Sequence, residues 1–442
     1  MNAYFLPGVE PLRVKETRSG IALQLPKAEP LLIQEVCRKL KARHLQLVKR
    51  PVSGIVEAID RVAARWLKPD DPFRREAERL LPPLTRLPGE MISWGLDRLF
   101  SRLRRESLEA LLIEEFPDPA VLDRFVSVKE GQSTRAVGPA LTVQIMAGNI
   151  PGLAVQGLVF SLLVKSPTLM KPAFDEPILA PLFAQSLTDV DPDIASSLAV
   201  FPWSGGTVAV EAAAFTEAEA IVAYGDADSL GDIETRIPRH LQFITFGPRL
   251  SVGVISREFI DPQTAELAAQ DVGRFEMRGC LSPQIFYVEE GGPRSPEVFA
   301  SLLAERIGRM GSTPPTPEEE GRLRQLRGIY GMRGGKVWES GGFMVAFDPG
   351  LDIGPAGGRL VLVKPLRDLL SLPERLFPFR RSLQGIGLAI ESQRHPKLIE
   401  SLTLLGASRI CPIGALQDPP LTWHQEGRPR LASRVRWVDL ET

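Results

Sequence analysis

The amino-acid sequence predicts an α/β protein built on parallel sheets. From about Ala136 onward, short apolar runs alternate with Gly- and Pro-rich turns and with helical segments. The run 140–146, for example, is followed by a turn that contains Gly148 and Pro151, and then by the apolar stretch 153–164. This alternation is typical of βαβ units and of a doubly wound, nucleotide-binding sheet. Because 442 residues exceed the size of one ordinary hydrophobic core, we expect two or three domains.

The composition excludes several classes of protein. The 53 basic and 54 acidic residues nearly cancel, so no overall positive field would attract nucleic acid or anionic lipid. Three cysteines, Cys37, Cys280 and Cys411, are too few for a disulfide framework and favour a reducing compartment. The N-terminus lacks the basic start and apolar core of a signal peptide, and the apolar run 150–164 is too short to span a membrane. We expect a cytoplasmic protein of a size typical of enzymes, without a membrane span or a nucleic-acid partner.

The first 125 residues differ in pattern from the rest of the chain. Residues 1–30 alternate short apolar stretches with Pro and Gly, which predicts a few edge strands. From Pro30 to about Phe125, apolar residues recur at roughly helical spacing, as at Val36 and Leu40. This region is therefore predicted to be mainly helical. No pairing of its histidine and cysteine residues predicts a metal site.

The alternation of strands and helices continues to the C-terminal region. Further strands are predicted at 168–172, 197–201, 220–225 and 240–247, and the last of these marks a crossover to a second α/β unit. Runs at 284–288, 360–363, 384–390 and 408–414 predict the strands of that unit. Residues 311–321, which include three consecutive glutamates, predict an exposed linker that leads into a helix.

Cys280 is the candidate nucleophile. It lies between Gly279 and the turn-forming pair Ser282-Pro283, just ahead of the strand predicted at 284–288. A tight loop that feeds a buried strand holds a small nucleophile on a rigid scaffold. The alternative is a structural cysteine, because free cysteine often behaves as a small buried hydrophobe. The loop by itself leaves both interpretations open.

Six motifs, taken in their order along the chain, resemble the aldehyde dehydrogenase superfamily and, within it, the LuxC family of acyl-CoA and acyl-protein reductases. The motifs are Gly148-Asn149-Ile150-Pro151-Gly152, Lys171-Pro172, Tyr224-Gly225, Cys280 with Ser282-Pro283-Gln284, Leu405-Gly406-Ala407-Ser408-Arg409-Ile410 and Val435-Arg436-Trp437-Val438. The resemblance runs from about residue 136 to the C-terminus and implies an aldehyde-dehydrogenase-like fold. It implies a mainly helical N-terminal extension of the cofactor domain (1–135), a Rossmann-like NADP-binding domain (136–247), a catalytic domain that contains the cysteine nucleophile (248–415) and a C-terminal segment (416–442).

The resemblance implies the catalytic roles of two residues. Cys280 attacks a thioester carbonyl, and the side-chain amide of Asn149 donates to the resulting oxyanion together with the backbone N–H of Cys280. Such an oxyanion needs donors in a dry site. Taken alone, Asn149 is better explained as a helix-capping or turn residue, whereas the resemblance favours the oxyanion role, and the two roles are compatible.

The resemblance also implies a nicotinamide cofactor. Lys171, followed by Pro172, is placed on the adenosine ribose, and a surface lysine is the ordinary alternative. NAD-selective relatives carry a glutamate three residues after this lysine, where this chain has Phe174. Because the missing carboxylate removes repulsion against a 2′-phosphate, NADPH is the expected cofactor. Three glycines would allow close approach of the pyrophosphate to the backbone: Gly205, Gly206 and Gly225.

One departure from the superfamily bears on the reaction. Hydrolytic aldehyde dehydrogenases carry a catalytic glutamate in a Glu-Leu-Gly-Gly-Lys motif, and Thr245 occupies the corresponding place here. Without a carboxylate that activates water, an acyl group on Cys280 would persist long enough to be reduced. The glutamate that contacts the nicotinamide ribose in many relatives is not identified, and Glu339 and Glu391 are the candidates.

The sequence therefore predicts an NADPH-dependent reductase that converts a medium- to long-chain acyl-CoA or acyl-protein thioester to the aldehyde. The resemblance further implies an acyl-activating ligase as partner and a homo-oligomer. Two alternatives stay open at this point. One is a CoA-acylating aldehyde dehydrogenase that oxidises short aldehydes, and the other is a catalytically silent scaffold of the same fold.

Overall fold

Two largely parallel sheets form the core of the structure, one in each of two units of the chain. The computed structural model describes residues 1–148, 150–350, 352, 354, 356–391 and 396–442. The first unit comprises Met1–Gly247, Pro420–Thr422 and Arg428–Thr442, and the second comprises Pro248–Pro419 and Trp423–Gly427.

The N-terminal region of the first unit is a hairpin followed by helices. The hairpin consists of β1 (Arg13–Arg18) and β2 (Ile21–Pro26), which pair antiparallel. The helices are α1 (Pro30–Lys49), α2 (Val52–Trp66), α3 (Pro72–Thr85), α4 (Gly89–Arg102) and α5 (Arg105–Glu115), and the short strands β3 (Val126–Lys129) and β4 (Gln132–Val137) follow them. The predicted change from edge strands to helices near Pro30 is confirmed.

The five-stranded sheet of the first unit is parallel throughout and has the strand order β7-β6-β5-β8-β9. Its strands are β5 (Thr142–Ile145), β6 (Thr168–Lys171), β7 (Leu198–Val200), β8 (Ala220–Tyr224) and β9 (Gln242–Phe246). The helices between or after them are α6 (Leu153–Leu163), α7 (Leu179–Thr188), α8 (Pro192–Ala195), α9 (Val208–Glu217) and α10 (Ala227–Arg236). All four residues of β5 and of β6 are buried, as expected of parallel strands that are covered on both faces.

The second unit contains a seven-stranded sheet with the order β12-β13-β14-β11-β10-β15-β16, in which β12 alone is antiparallel. Its strands are β10 (Leu250–Ile255), β11 (Pro283–Glu289), β12 (Lys336–Ser340), β13 (Phe343–Phe347), β14 (Leu360–Leu366), β15 (Leu383–Ala389) and β16 (Arg409–Pro412). Its helices are α11 (Pro262–Gly273), α12 (Pro296–Arg309), α13 (Pro317–Met332), α14 (Leu372–Leu376) and α15 (Pro396–Leu404). Successive residues of β11 enter different clusters, because side chains alternate between the faces of a strand: Ile285 packs in one cluster and Phe286 in the other.

The residues after 415 do not stay in one unit. Strand β17 (Arg436–Glu441) pairs antiparallel with β4, about 300 residues earlier in the chain, and completes a three-stranded sheet of the first unit. Residues 423–427 instead belong to the second unit. Among the described residues, no helix has both the length and the apolar character that a membrane crossing requires.

The linker predicted at 311–321 is shorter than expected, because α13 begins at Pro317. The side chain of Thr316 accepts the N–H of Glu319 (3.1 Å), and the Glu319 carboxylate accepts the N–H of Thr316 (2.7 Å). This reciprocal capping, together with acidic residues in the first turn, stabilises a helix start. The three glutamates that suggested a solvated linker are therefore the beginning of a helix.

Candidate functional site

The candidate cofactor-binding residues lie along one edge of the five-stranded sheet. Lys171 is the last residue of β6, and Pro172 follows it. Gly205 and Gly206 lie between β7 and α9, and Gly225 follows β8. Because parallel strands end at the same edge, the structure brings these five residues to the carboxyl edge of the sheet. That edge is where doubly wound sheets bind their ligands.

Lys171 is a buried cation at this edge. Only 9% of the residue is exposed, so the surface-lysine alternative does not hold. Burial lowers the pKa of its ammonium group, and the negative charge of Glu211 opposes that shift. No hydrogen bond joins this ammonium group to any residue in the described part of the chain. Because a buried polar group normally has hydrogen-bond partners, Lys171 fits a residue whose partner is a bound molecule.

The glycines at this edge differ in whether the backbone conformation requires glycine. Gly206 has a φ of 77°, which favours glycine, and a Cβ at this position would meet no atom within 4 Å. Its N–H donates to Glu211 (3.3 Å), which also forms an ion pair with Arg236. At Gly225, a Cβ would stand at ordinary contact distances of 3.5–3.7 Å from Ser229 and Leu230. The backbone turn therefore requires glycine at 206 but not at 225.

Asn149 lies outside the described residues. Two glycines of its motif, Gly148 and Gly152, have little room for a side chain. A Cβ on Gly148 would stand 3.1 Å from the Cβ of Ala173. Gly152, which precedes α6, has a φ of 103°, and a Cβ there would stand 2.9 Å from a methyl group of Leu99. Tight packing thus explains these two glycines of the motif without a ligand.

Glu176 is a buried carboxyl group just beyond the same edge. Its Oε1 accepts the backbone N–H groups of Ile178 (3.1 Å) and Leu179 (2.8 Å), at the start of α7. Burial raises the pKa of Glu176 to about 7, although the two N–H groups favour the charged form. The residue therefore changes charge near neutral pH.

In the second unit, Cys280 lies at the amino edge of the seven-stranded sheet, just before β11. Its backbone carbonyl accepts the hydroxyl of Ser251 (2.8 Å), and that hydroxyl accepts the N–H of Gly385 (3.1 Å). The N–H of Ser282 donates to the carbonyl of Gly279 (3.0 Å). These contacts tie the loop to the first residues of β10 and β15. The backbone at Cys280 is fixed while the residue itself stays partly exposed.

A left-handed turn precedes the Cys280 loop. Phe275, Glu276 and Met277 have φ values of 55°, 51° and 61°, a conformation that costs about 1–2 kcal/mol for each non-glycine residue. The buried carboxylate of Glu276 accepts the N–H (2.6 Å) and the hydroxyl (2.9 Å) of Thr313. It also pairs with Arg359 (2.9 Å), whose side chain is 3% exposed. These buried bonds hold the turn in place. Neither Thr313 nor Arg359 was predicted from the sequence as part of the site.

A second segment, residues 414–417, is fastened to the same loop. The carboxyl group of Asp271 accepts the N–H groups of Gly414 (2.6 Å) and Leu416 (2.9 Å), and burial raises its pKa to about 6. The Gln417 amide donates to the Ser282 hydroxyl (2.8 Å). None of these contacts was predicted from the sequence.

The other cysteines have different surroundings. Cys37 is fully buried in α1, and burial raises the pKa of its thiol to about 12. Cys411 is half-buried in β16, and burial raises its pKa as well. Across the described ranges, no group of three or more His, Cys, Asp or Glu side chains is placed to hold a metal ion.

The glutamates considered for ribose contact do not lie beside Cys280. Glu339 is an exposed residue of the outermost strand β12 and pairs with Arg327. Glu391 follows β15 at the carboxyl edge of the sheet, whereas Cys280 lies at the amino edge. Thr245 is the fourth residue of β9 in the first unit.

The geometry can be compared with known proteins. The family model described as "Acyl-CoA reductase (LuxC)" matches residues 47–437. A long-chain acyl-protein thioester reductase from Vibrio harveyi is 28% identical over 248 residues, which cover 53% of this chain and 50% of that protein. One from Photorhabdus luminescens is 25% identical over 238 residues, with 53% and 49% covered. The chain thus spans about half the length of these curated relatives.

Solved structures show the fold. Aldehyde dehydrogenase 21 from Physcomitrella patens superposes with a TM-score of 0.78 at 12% identity, over 98% of this chain and 95% of that one. A salicylaldehyde dehydrogenase from Pseudomonas putida G7 gives 0.74 at 12% identity, again over 98% and 95%. The predicted aldehyde-dehydrogenase-like fold is confirmed.

The first prediction concerns the carboxylate that holds the left-handed turn. We expect Glu276→Gln to lower the free energy of unfolding by about 3 kcal/mol, because the buried guanidinium of Arg359 loses its nearest carboxylate and keeps only the more distant one of Glu319 (3.6 Å). Urea unfolding would measure this loss. The control is Glu339→Gln, whose exposed pair should contribute less than about 1 kcal/mol. Equal losses in the two variants would show that the buried pair has no special role.

The second prediction concerns pH. The folded-state pKa of Glu176, about 7, exceeds the ordinary value of 4.5, so the folded protein binds this proton more tightly. The stability contributed by the protonated group is complete below pH 4.5 and is lost as the pH rises through 7. Glu176→Gln keeps an oxygen acceptor and does not titrate. We expect the variant to match the parent near pH 4.5 and to exceed it by about 3 kcal/mol at pH 8.

Urea unfolding at several pH values would test this expectation. Glu234→Gln, an exposed carboxylate on α10, is the control and should show no comparable pH dependence. A difference between Glu176→Gln and the parent that stays constant from pH 4.5 to 8 would contradict the shifted pKa.

Proposed function

Because the chain belongs to the LuxC family of acyl-CoA reductases, we propose that it reduces a medium- to long-chain acyl thioester to an aldehyde through an acyl group on Cys280. The observation that carries this proposal is the anchoring of the Cys280 backbone. A loop tied to β10 and β15 holds a partly exposed thiol at the edge of a rigid sheet, as nucleophilic catalysis requires. The names of the relatives support a long acyl chain on a protein or CoA thiol as the substrate.

In the first half of the reaction, the thiolate of Cys280 attacks the thioester carbonyl. A bond forms between Sγ and the carbonyl carbon, the bond to the carrier sulfur breaks, and the carrier thiolate leaves and takes up a proton. The tetrahedral intermediate carries an oxyanion. We assign its donors to the backbone N–H of Cys280 and, by the resemblance, to the side-chain amide of Asn149. The bond from Ser251 to the Cys280 carbonyl fixes the peptide unit that follows Cys280 during these changes.

The second half needs a two-electron donor, and the family implies a nicotinamide cofactor. The carboxyl edge of the five-stranded sheet fits such a molecule, since it combines a buried lysine without a hydrogen-bond partner in the described chain and an open glycine turn. Lys171 beside Pro172 would hold the adenosine ribose, and the turns at Gly205, Gly206 and Gly225 would meet the pyrophosphate. When bound, the nicotinamide supplies the hydride that turns the acyl group into an aldehyde.

One feature favours NADPH over NADH, and another favours reduction of the acyl group over its hydrolysis. Phe174 stands where a carboxylate would select NAD by binding the ribose hydroxyl, and its exposed ring carries no negative charge. Thr245 replaces the carboxylate that would activate water, so that the acyl group on Cys280 is not hydrolysed. An acyl-activating ligase would supply the thioester in the cell.

The proposal predicts a covalent acyl-enzyme. Radiolabelled long-chain acyl-CoA, mixed with the protein in the absence of nucleotide, should leave label on the chain in a single turnover. Addition of NADPH should then release the label as aldehyde. Cys280→Ala should acquire at least about a thousandfold less label, because the nucleophile is absent. Trapping after denaturation and chromatography of the released product would measure both steps.

The matched control is Cys411→Ala, which removes another partly exposed thiol of the same unit. It should acquire label as the parent does. Label that persists on Cys280→Ala would show that Cys280 does not carry the acyl group. A parent protein that acquires no label from any acyl donor would contradict the proposal in the same way. Labelled protein that releases free acid rather than aldehyde would argue against a reductase.

A further inference from the structure

The residues after β6 lie where a doubly wound sheet distinguishes the 2′-hydroxyl of NAD from the 2′-phosphate of NADP. β6 is the second strand of the parallel sheet along the chain, and 172–175 follow its carboxyl end. In doubly wound folds, an acidic residue near this place binds the 2′-hydroxyl of NAD, and a nearby arginine accommodates the 2′-phosphate of NADP. Phe174, which is 64% exposed, stands here beside the exposed Asp175.

The N-terminal hairpin brings an arginine to this place. Arg18, the last residue of β1, lies 156 residues before Phe174 in the chain. Its guanidinium carbon lies 3.8 Å from the centroid of the Phe174 ring, and its Nη1 donates to the Phe174 carbonyl (2.6 Å). A planar cation on an aromatic face is a favourable arrangement. The exposed ring of Phe174 thus serves as a platform for Arg18.

A second contact orients the guanidinium. Glu16 lies two residues before Arg18 on the same face of β1, and accepts from Nε (2.7 Å) and Nη2 (3.1 Å) of Arg18. A guanidinium carries about five N–H groups. Bonds to Glu16 and Phe174 use three of them, so that among the described residues one N–H on each terminal nitrogen has no acceptor. Paired N–H groups on one guanidinium match two oxygens of a phosphate. The Arg18 side chain is 15% exposed, so solvent and ligands reach it.

We propose that Arg18 is a cofactor-selectivity residue whose guanidinium binds the 2′-phosphate of NADPH, with Phe174 as its platform and Glu16 as its orienting partner. This inference rests on the proposed function in so far as that function requires a nicotinamide cofactor. The positive charge of Lys171, the residue that ends β6, adds to that of Arg18. Asp175 opposes it, because a carboxylate would accept a 2′-hydroxyl and repel a phosphate. Arg18 therefore predicts a preference for NADPH, whereas Asp175 predicts a preference for NADH.

The experiment measures binding without catalysis. Isothermal titration calorimetry with adenosine 2′,5′-bisphosphate and with 5′-AMP compares two ligands that differ only in the 2′-phosphate. The parent should bind the bisphosphate at least about tenfold more tightly. Arg18→Gln should lose about tenfold or more of its affinity for the bisphosphate and keep its affinity for 5′-AMP. Arg18→Lys, which keeps the charge but not the fork, should lie between them.

Two further variants serve as controls. Arg13→Gln removes an exposed arginine from the same strand and should change neither affinity. Asp175→Asn should leave the preference for the bisphosphate in place or increase it. A parent that prefers 5′-AMP, with the preference lost in Asp175→Asn, would overturn the proposal. An Arg18→Gln protein that binds the bisphosphate as the parent does would overturn it too.

Steady-state reduction of acyl-CoA separates this inference from the function on which it rests. Arg18→Gln should raise the KM for NADPH by about tenfold or more and leave kcat and the KM for NADH unchanged. If the parent reduces acyl-CoA with NADPH and Arg18→Gln shows no such change, the inference fails and the function stands. If the parent binds neither fragment and reduces nothing with either nucleotide, the function fails as well.

Discussion

The geometry before Cys280 depends on one buried carboxylate. Three consecutive residues of the chain, Phe275 to Met277, adopt a left-handed conformation that L-amino acids disfavour. Glu276 lies at the centre of this turn and binds Thr313 and Arg359, which belong to distant parts of the same unit. Strain of this size persists only where surrounding contacts over-determine it. The buried ion pair therefore sets the path of the backbone that leads to Cys280, and Ser251 and Gln417 hold the loop beyond it.

Buried charges recur beside loops elsewhere in the two units. In the first unit, Glu211 pairs with Arg236 and accepts the N–H of Gly206. In the second, Lys364 of β14 binds Asp348, which follows β13 (2.7 Å). A buried ion pair adds little net stability compared with a well-packed apolar pair of the same volume. These pairs instead hold each loop in a single position, because moving the loop would leave a buried charge without its partner, at a high cost in free energy.

The sequence allowed prediction of those features that depend on local pattern. The alternation of strands and turns located β5 to β9 and placed Lys171 at the end of a strand, and the strand topology then brought the predicted glycines to one edge. Contacts between distant residues had no such signal. Nothing local indicates that β17 pairs with β4, that Arg359 neutralises Glu276, or that Arg18 packs on Phe174. The acidic run at 318–320 did have a local signal, because Thr316 and Glu319 have the spacing of a capping box, but the Pro- and Glu-rich composition outweighed it in the prediction.

The two sheets use their edges in different ways. In the first unit, the chain leaves the carboxyl edge through glycine turns, and Lys171 is buried at the same edge. In the second unit, Cys280 lies at the opposite, amino edge of its sheet, where the usual ligand-binding loops of a doubly wound sheet are absent. A residue at that edge is positioned by its loop and not by the end of a strand, so the loop must be fixed by other means. The left-handed turn, the Ser251 bond and the buried carboxyl groups of Glu276 and Asp271 provide that support. The concentration of buried polar groups around this loop holds a partly exposed cysteine in one position at the amino edge of a parallel sheet.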